Sequence, residues 1–236
     1  MKKTVSEFRE MLKTVPPLLL TLTVLAVVGM NLLANKSIVN LNWLALDAGF
    51  LLSWMAFLTM DVLTHCYGPR AATLFSVFAL ALNLLMAGIF FAASRIPGMW
   101  GESFVEGSEQ IINTALDNTF GGTWYVLLGS SVAFLVSAIV NNFLNYGVGK
   151  LLKRKDGFGQ FALRSYVSTF IGQFIDNLVF ALIVSKVFFG WTLLQCFTCA
   201  VTGAVAELLF EVVFSPIGYR ISKRIKARQA TEGAAA

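Results

Sequence analysis

Six long apolar runs follow one another along the chain, at residues 15–34, 41–60, 71–93, 123–146, 161–188 and 191–217. About 20 apolar residues in a helix cross the hydrocarbon core of a bilayer. The pattern therefore predicts an all-α integral membrane protein with six transmembrane helices. Pro16-Pro17 opens the first run, where the missing N–H groups cost little. The longest connection, 94–122, is punctuated by Pro97-Gly98 and Gly121-Gly122. Within it Ile111, Ile112, Ala115, Leu116, Thr119 and Phe120 recur at helical spacing, which predicts a short helix lying in the outer interface between helices 3 and 4 and packing over the helix ends. No fixed-period repeat is visible.

Charge sets the direction of the spans. With the N-terminus inside, the inner segments carry fifteen Lys and Arg residues and the outer ones three, Lys36, Arg95 and Lys186. Basic residues stay on the cytoplasmic side, so both termini are expected there. Residues 1–14 then read as a retained cytoplasmic lead-in, not a cleaved signal, and 220–236 as a basic cytoplasmic tail whose last few residues are disordered. A hydrophobic content of 57% against 13% charged, with a mean hydropathy of +0.73, departs from the roughly half apolar and quarter charged make-up of soluble chains. Residues 1–236 accordingly read as one polytopic domain in the cytoplasmic membrane. The pI near 9.2 reflects cations at the span ends and implies no nucleic-acid partner. Three cysteines without framework spacing imply no disulfide scaffold, and Cys196-x-x-Cys199 lies in an apolar run, where packing is its expected role.

The chemistry must come from polar residues inside the runs. The fifth reads RSYVSTFIGQFIDNLVF over 164–180. Gln173, Asp176 and Asn177, three and four apart, share one helix face, continued by Ser168, Thr169 and Gly172. A carboxylate near mid-membrane costs a few kcal/mol or more. Arg164 is about 18 Å away along the helix and cannot pair with Asp176, which must find its partner on another helix or in a substrate. Glu207 and Glu211 stand at i, i+4 in the sixth run, where two like charges repel, so at least one is expected to be protonated or engaged by a cation. Asn141, Asn142 and Asn145 form an amide cluster in the fourth. Asp61 and His65 share a face ahead of Gly68-Pro69, and two readings stay open: a gate or proton relay with Arg164, or an Asp61–Arg70 pair fixing the helix end. Asn31 reads as glue between helices. Asp47, placed near the outer end of the second run, would snorkel or pair with Lys36. His65-Cys66 offers too few ligands for a metal, and no cofactor is expected. Phe104, Trp124 and other aromatics could stack on a planar ligand.

Four stretches resemble the vitamin uptake transporter family, whose characterised members carry queuosine precursors. NLLANK at 31–36, DVLTHCYG at 61–68, RSYVSTFIGQFIDNLVF at 164–180 and ELLFEVVFSP at 207–216 resemble its motifs in order. The third is the most specific. Where the family pattern has Glu, this chain has His65, and Asn142 and Asn145 stand for its Gln-x-x-Asp. The resemblance implies import of a 7-deazaguanine base. Asp176 or Glu211 would accept the two adjacent donors of its edge, and Gln173, Asn177 or Asn142 would bond its carbonyl. Asn145 and Glu207 complete the expected substrate-binding set. No GxxxxGK[ST] segment is present, so this chain does not use ATP itself. A binding subunit working with a separate energising complex is the alternative, self-association is left open, and an enzyme is not expected.

Overall fold

The computed structural model describes residues 2–101, 106–122, 124–152 and 157–234. About 83% of the protein is helical. Helix α1 (Lys2–Thr14) occupies the lead-in, and α2 (Pro17–Leu33) starts on the Pro16-Pro17 pair. An antiparallel hairpin follows, β1 (Ser37–Asn40) and β2 (Ala45–Asp47), with Val39 opposite Leu46 and Asn40 opposite Ala45. Then come α3 (Phe50–Tyr67), α4 (Pro69–Ala93), α5 (Glu109–Gly121), α6 (Trp124–Leu151) and α7 (Phe158–Phe180). A π turn over Ala181–Ser185 and the short α8 (Lys186–Phe188) extend α7, and α9 (Leu193–Ala234) closes the chain.

Among the described residues, five helical stretches, containing α3, α4, α6, α7 and α9, are long and apolar enough to cross a membrane, and α2 is a shorter apolar helix of 17 residues. The bundle is built inside out relative to a soluble protein. Leu85, Leu209 and Val213 are 59–68% exposed, while Asp61, Glu207 and Glu211 are fully buried. Apolar side chains on the outside suit lipid contact, and the buried polar groups must then bond one another. Helix α3 runs through the middle, packed on α2, α4, α6, α7 and α9, and α7 is flanked by α6 and α9. Phe57, Met60 and Leu63 of α3 anchor the main core with Phe75 of α4 and Phe134 of α6.

Four expectations need correction. The second span starts nine residues later than 41, because the β-branched Ile38 and Val39 favour a strand and the chain turns back tightly, with the Leu41 N–H bonded to Leu44 O at 2.7 Å. This moves Asp61 away from the helix end into its interior. Arg70 is exposed, and Asp61 bonds residues of α6 and α7 instead of pairing with it. Asp47 sits in the hairpin, outside the spanning helices, and accepts the Gly49 N–H at 2.8 Å. The basic tail is helical: α9 continues through Ala234 over 42 residues, about 63 Å at 1.5 Å per residue, twice a hydrocarbon core.

Pro216 lies inside α9 without ending it. Its missing N–H would leave Val212 O bare, and the Ser215 hydroxyl donates to that oxygen at 3.1 Å. The π turn is satisfied similarly, by Tyr125 O–H donating to Ile183 O at 2.8 Å. At the α3–α4 junction Gly68 has φ +85°, open to glycine, and Pro69 starts the next helix. Helix α5 packs on α4, fixed by Trp100, whose indole donates to Asp117 at 2.9 Å and stacks on Phe120. Tyr67 bonds Thr14 and packs beside Ile225, so α1 and the tail of α9 share one end of the bundle. The hairpin, packed against Ala181, Trp191 and the free thiols Cys196 and Cys199, marks the other.

Candidate functional site

The interior polar residues form three levels along α7. At the terminal end Arg164, only 7% exposed, donates from Nε at 2.8 Å and Nη2 at 2.5 Å to Asn145 Oδ1. Its Nη1 lies 2.7 Å from His65 Nδ1. A guanidinium has donors only, so in this contact Nδ1 is the acceptor. Asn145 Nδ2 reaches Ser168 at 3.3 Å. A cavity of about 370 Å³ opens beside this group, lined by His65, Tyr67, Tyr146, Gln160, Arg164 and Lys226 among others. Two cations and no carboxylate among the described lining residues give it positive character.

One turn further along α7 lies the middle level. Asp61 accepts from Asn141 Nδ2 at 2.7 Å, Ser165 Oγ at 2.5 Å and Thr169 Oγ1 at 3.1 Å, with Ser168 Oγ at 3.3 Å. The same Ser165 hydroxyl touches Glu211 Oε1. Among the described residues Glu211 Oε2 and Asn141 Oδ1 have no hydrogen-bond partner. Gln173, fully buried a turn beyond Thr169, also has neither amide atom bonded.

The third level lies toward the hairpin. Ser53 donates to Glu207 Oε1 at 2.6 Å and Ser137 to Asp176 Oδ1 at 2.7 Å, while Ser130 donates to Asn31 Oδ1. Asn177 lies against Glu207 and interacts with its carboxyl group, but among the described residues neither Asn177 Nδ2 nor Glu207 Oε2 has a hydrogen bond of good geometry. A Cβ at Gly203 would stand 2.7 Å from Asn177 Nδ2, so only glycine admits that amide beside α9. Asn31, Asp47, Asp176, Asn177 and Glu207 line a space of about 20 Å³, room for about one water. Burial pushes the Asp47 carboxyl up to about 6, against the lowering effect of the Gly49 N–H.

Levels of buried carboxylates, amides and hydroxyls between membrane-length helices suit a polar solute that must be stripped of water to cross. A family model described as "Putative vitamin uptake transporter" matches residues 47–221, from the hairpin into α9. The chain belongs to the vitamin uptake transporter family. That match covers the residues of the three levels except Asn31 and the cavity-lining Lys226. No curated protein and no solved structure matches the chain.

In this transporter the stripe expected on α7 divides. Asp176 turns to Ser137 of α6 and Asn177 to α9, with Gln173 buried between them and Asp61's level. Glu207 and Glu211, neighbours on α9, bond different serines at different levels. Asn142 accepts from Thr64 at 3.1 Å and donates to Thr73 at 3.2 Å, joining α6 to α3 and α4 and lining neither cavity. Asn145 is taken up by Arg164 and Ser168. Trp124 is 53% exposed against Tyr125, away from all three levels, and Phe104 lies outside the described residues. Sequence reasoning missed Ser53, Ser130, Ser137 and Ser165. Their signal was present: isolated hydroxyls in apolar helices, with Ser165, Ser168 and Thr169 at the i, i+3, i+4 spacing of a single face.

Proposed function

We propose that this transporter imports a 7-deazaguanine precursor of queuosine across the cytoplasmic membrane without an ATPase of its own. Six spans, α2 included, cytoplasmic termini and an interfacial α5 complete the reading. The carrying observation is the set of orphaned polar atoms at the third level: donors on Asn31 and Asn177 and an acceptor on Glu207. Unpaired buried polar atoms cost about 1–3 kcal/mol each, and a purine-like edge offers their complement. The N1–H and exocyclic amine would donate to Asp176 or Glu207, and the ring carbonyl would accept from Asn177 or Asn31. A space for one water is too small for a base, so the helices must part to admit it, and binding would repair the orphaned groups. Such a site rejects analogues that lack the matching N–H groups.

The test is base uptake by a queuosine-auxotrophic cell expressing only this protein, scored as queuosine in its tRNA. Wild type should restore the nucleoside, and Asp176→Asn, which trades one acceptor for a donor, should reduce it severely. No uptake of any deazaguanine by well-expressed protein would overturn the assignment. Uptake that needs a co-expressed energising complex would reassign the chain as a binding subunit.

A further inference from the structure

The middle level sits between the small space at Asp176 and the cavity at Arg164, and it contains an odd proton count. Ser165 Oγ lies within hydrogen-bond distance of one oxygen on each of two carboxyl groups, Asp61 Oδ2 and Glu211 Oε1. A hydroxyl has one proton to give and can accept others. If it donates to Asp61, the Glu211 contact needs a proton from Glu211; if it donates to Glu211, the Asp61 contact needs one from Asp61. Either way the pair holds one proton. The surroundings choose its resting place. Asp61 receives Asn141, Thr169 and Ser165 as donors, and the charge of Arg164 acts on it. Glu211 interacts with Ser165, Thr169 and Asp61 but has no amide donor or neighbouring cation to match Asn141 and Arg164, and among the described residues its buried Oε2 has no hydrogen bond, so the neutral acid belongs there.

We propose that Asp61, Ser165 and Glu211 form a one-proton site, the proton resting on Glu211, whose loading and release couples substrate import to the proton gradient. The inference rests on the transport reading above. The move is a relay: Glu211 gives its proton to Ser165 Oγ as Ser165 gives its own to Asp61, so the proton reappears on Asp61 and Glu211 becomes the carboxylate. Water in the cavity lined by His65, the next turn of α3, then takes the proton from Asp61. With the proton gone, one hydroxyl bridges two carboxylates in an apolar bundle. That arrangement is repulsive, so α3, α7 and α9, joined at this one oxygen, separate.

Other charges facing the site are few. Helix α7 adds Arg164 and, three turns on, Asp176; α9 adds Glu207 and α3 adds His65. Helix α2 has no ionisable residue, α4 only the exposed Arg70, and α6 only Tyr125, Tyr146 and Lys150 toward its ends.

Two measurements on the full-length protein test this. Infrared spectra of wild type in lipid at neutral pH should contain protonated-carboxyl C=O absorption. One component of it should be lost in Glu211→Gln and kept in Asp176→Asn and in Glu207→Gln, Glu207 Oε2 also being buried without a hydrogen-bond partner among the described residues. This readout needs no transport. In proteoliposomes, labelled 7-deazaguanine should accumulate roughly tenfold per unit of inward pH gradient for one proton per base, and Glu211→Gln should lose that accumulation. Persistence of the full band in Glu211→Gln, gradient-driven accumulation by that variant, or accumulation following a sodium gradient would overturn the proposal. Wild type that shows the Glu211 band but transports no base would leave the proton site standing and remove the transport reading.

Discussion

Arg164 is a permanent cation buried at the N-terminal end of α7, and one oxygen takes most of its hydrogen bonds, with His65 taking another. Asn145 Oδ1 receives two of its N–H groups, at 2.8 and 2.5 Å. Asn145→Ala removes that acceptor and bares two donors on a charged group. Each buried donor left unsatisfied costs about 1–3 kcal/mol. The 370 Å³ cavity alongside lets water replace part of the loss, so about 2–4 kcal/mol is expected for the pair. At 2–4 °C per kcal/mol for a chain of this size, the melting temperature should fall by roughly 4–16 °C. Asn145→Asp keeps an acceptor at the same place and adds an opposite charge, so it should stay within about 1 kcal/mol of wild type. The assay is thermal unfolding of purified protein in one detergent, with all three variants side by side. If Asn145→Ala melts with wild type, or Asn145→Asp falls as far as Asn145→Ala, Asn145 is not what holds Arg164.

Three further outcomes can be measured. Ser215→Ala should cost about 1–3 kcal/mol, because Val212 O and the Tyr166 hydroxyl both lose Ser215; in the double variant Ser215→Ala/Pro216→Ala the restored helix N–H should recover part of it, and a double-mutant cycle with no coupling would refute this. For Asp47, the carboxyl is raised from 3.8 to about 6, so between those values the native state holds a proton that the unfolded state has released. Stability therefore falls as pH rises from about 4 to about 6 and stays lower above. Asp47→Asn keeps the acceptor for Gly49, and melts at about pH 4 and pH 7 should show the slope abolished and a gain at pH 7 of up to about 3 kcal/mol. Gly203→Ala places a methyl against Asn177 and should leave folding within about 2 kcal/mol while weakening base uptake about tenfold, one hydrogen bond's worth; unchanged uptake KM would remove Asn177 from the site.

Element type was legible because lipid forces it: long apolar runs have few ways to satisfy their backbone in a bilayer. The sequence alone therefore determined the long apolar helices, a short helix through 111–120, and the fact that Asp176, Glu207 and Glu211 needed partners. It misjudged the start of α3, because the hydropathy of 37–47 is that of a span end while its β-branched residues and tight turn make a hairpin. It also read the α7 stripe as one unit. Which neighbour each polar side chain meets depends on how α3, α6, α7 and α9 rotate about their own axes, and that is set by close approaches such as Gly172 against Phe57 and Asn141 and Gly203 against Asn177. Helix period places residues on a face, but only packing decides what the face meets. That is why Asp61, read as an end residue, became the acceptor at the centre, and why Ser165, passed over on a face whose spacing included it, joins the two carboxyl groups.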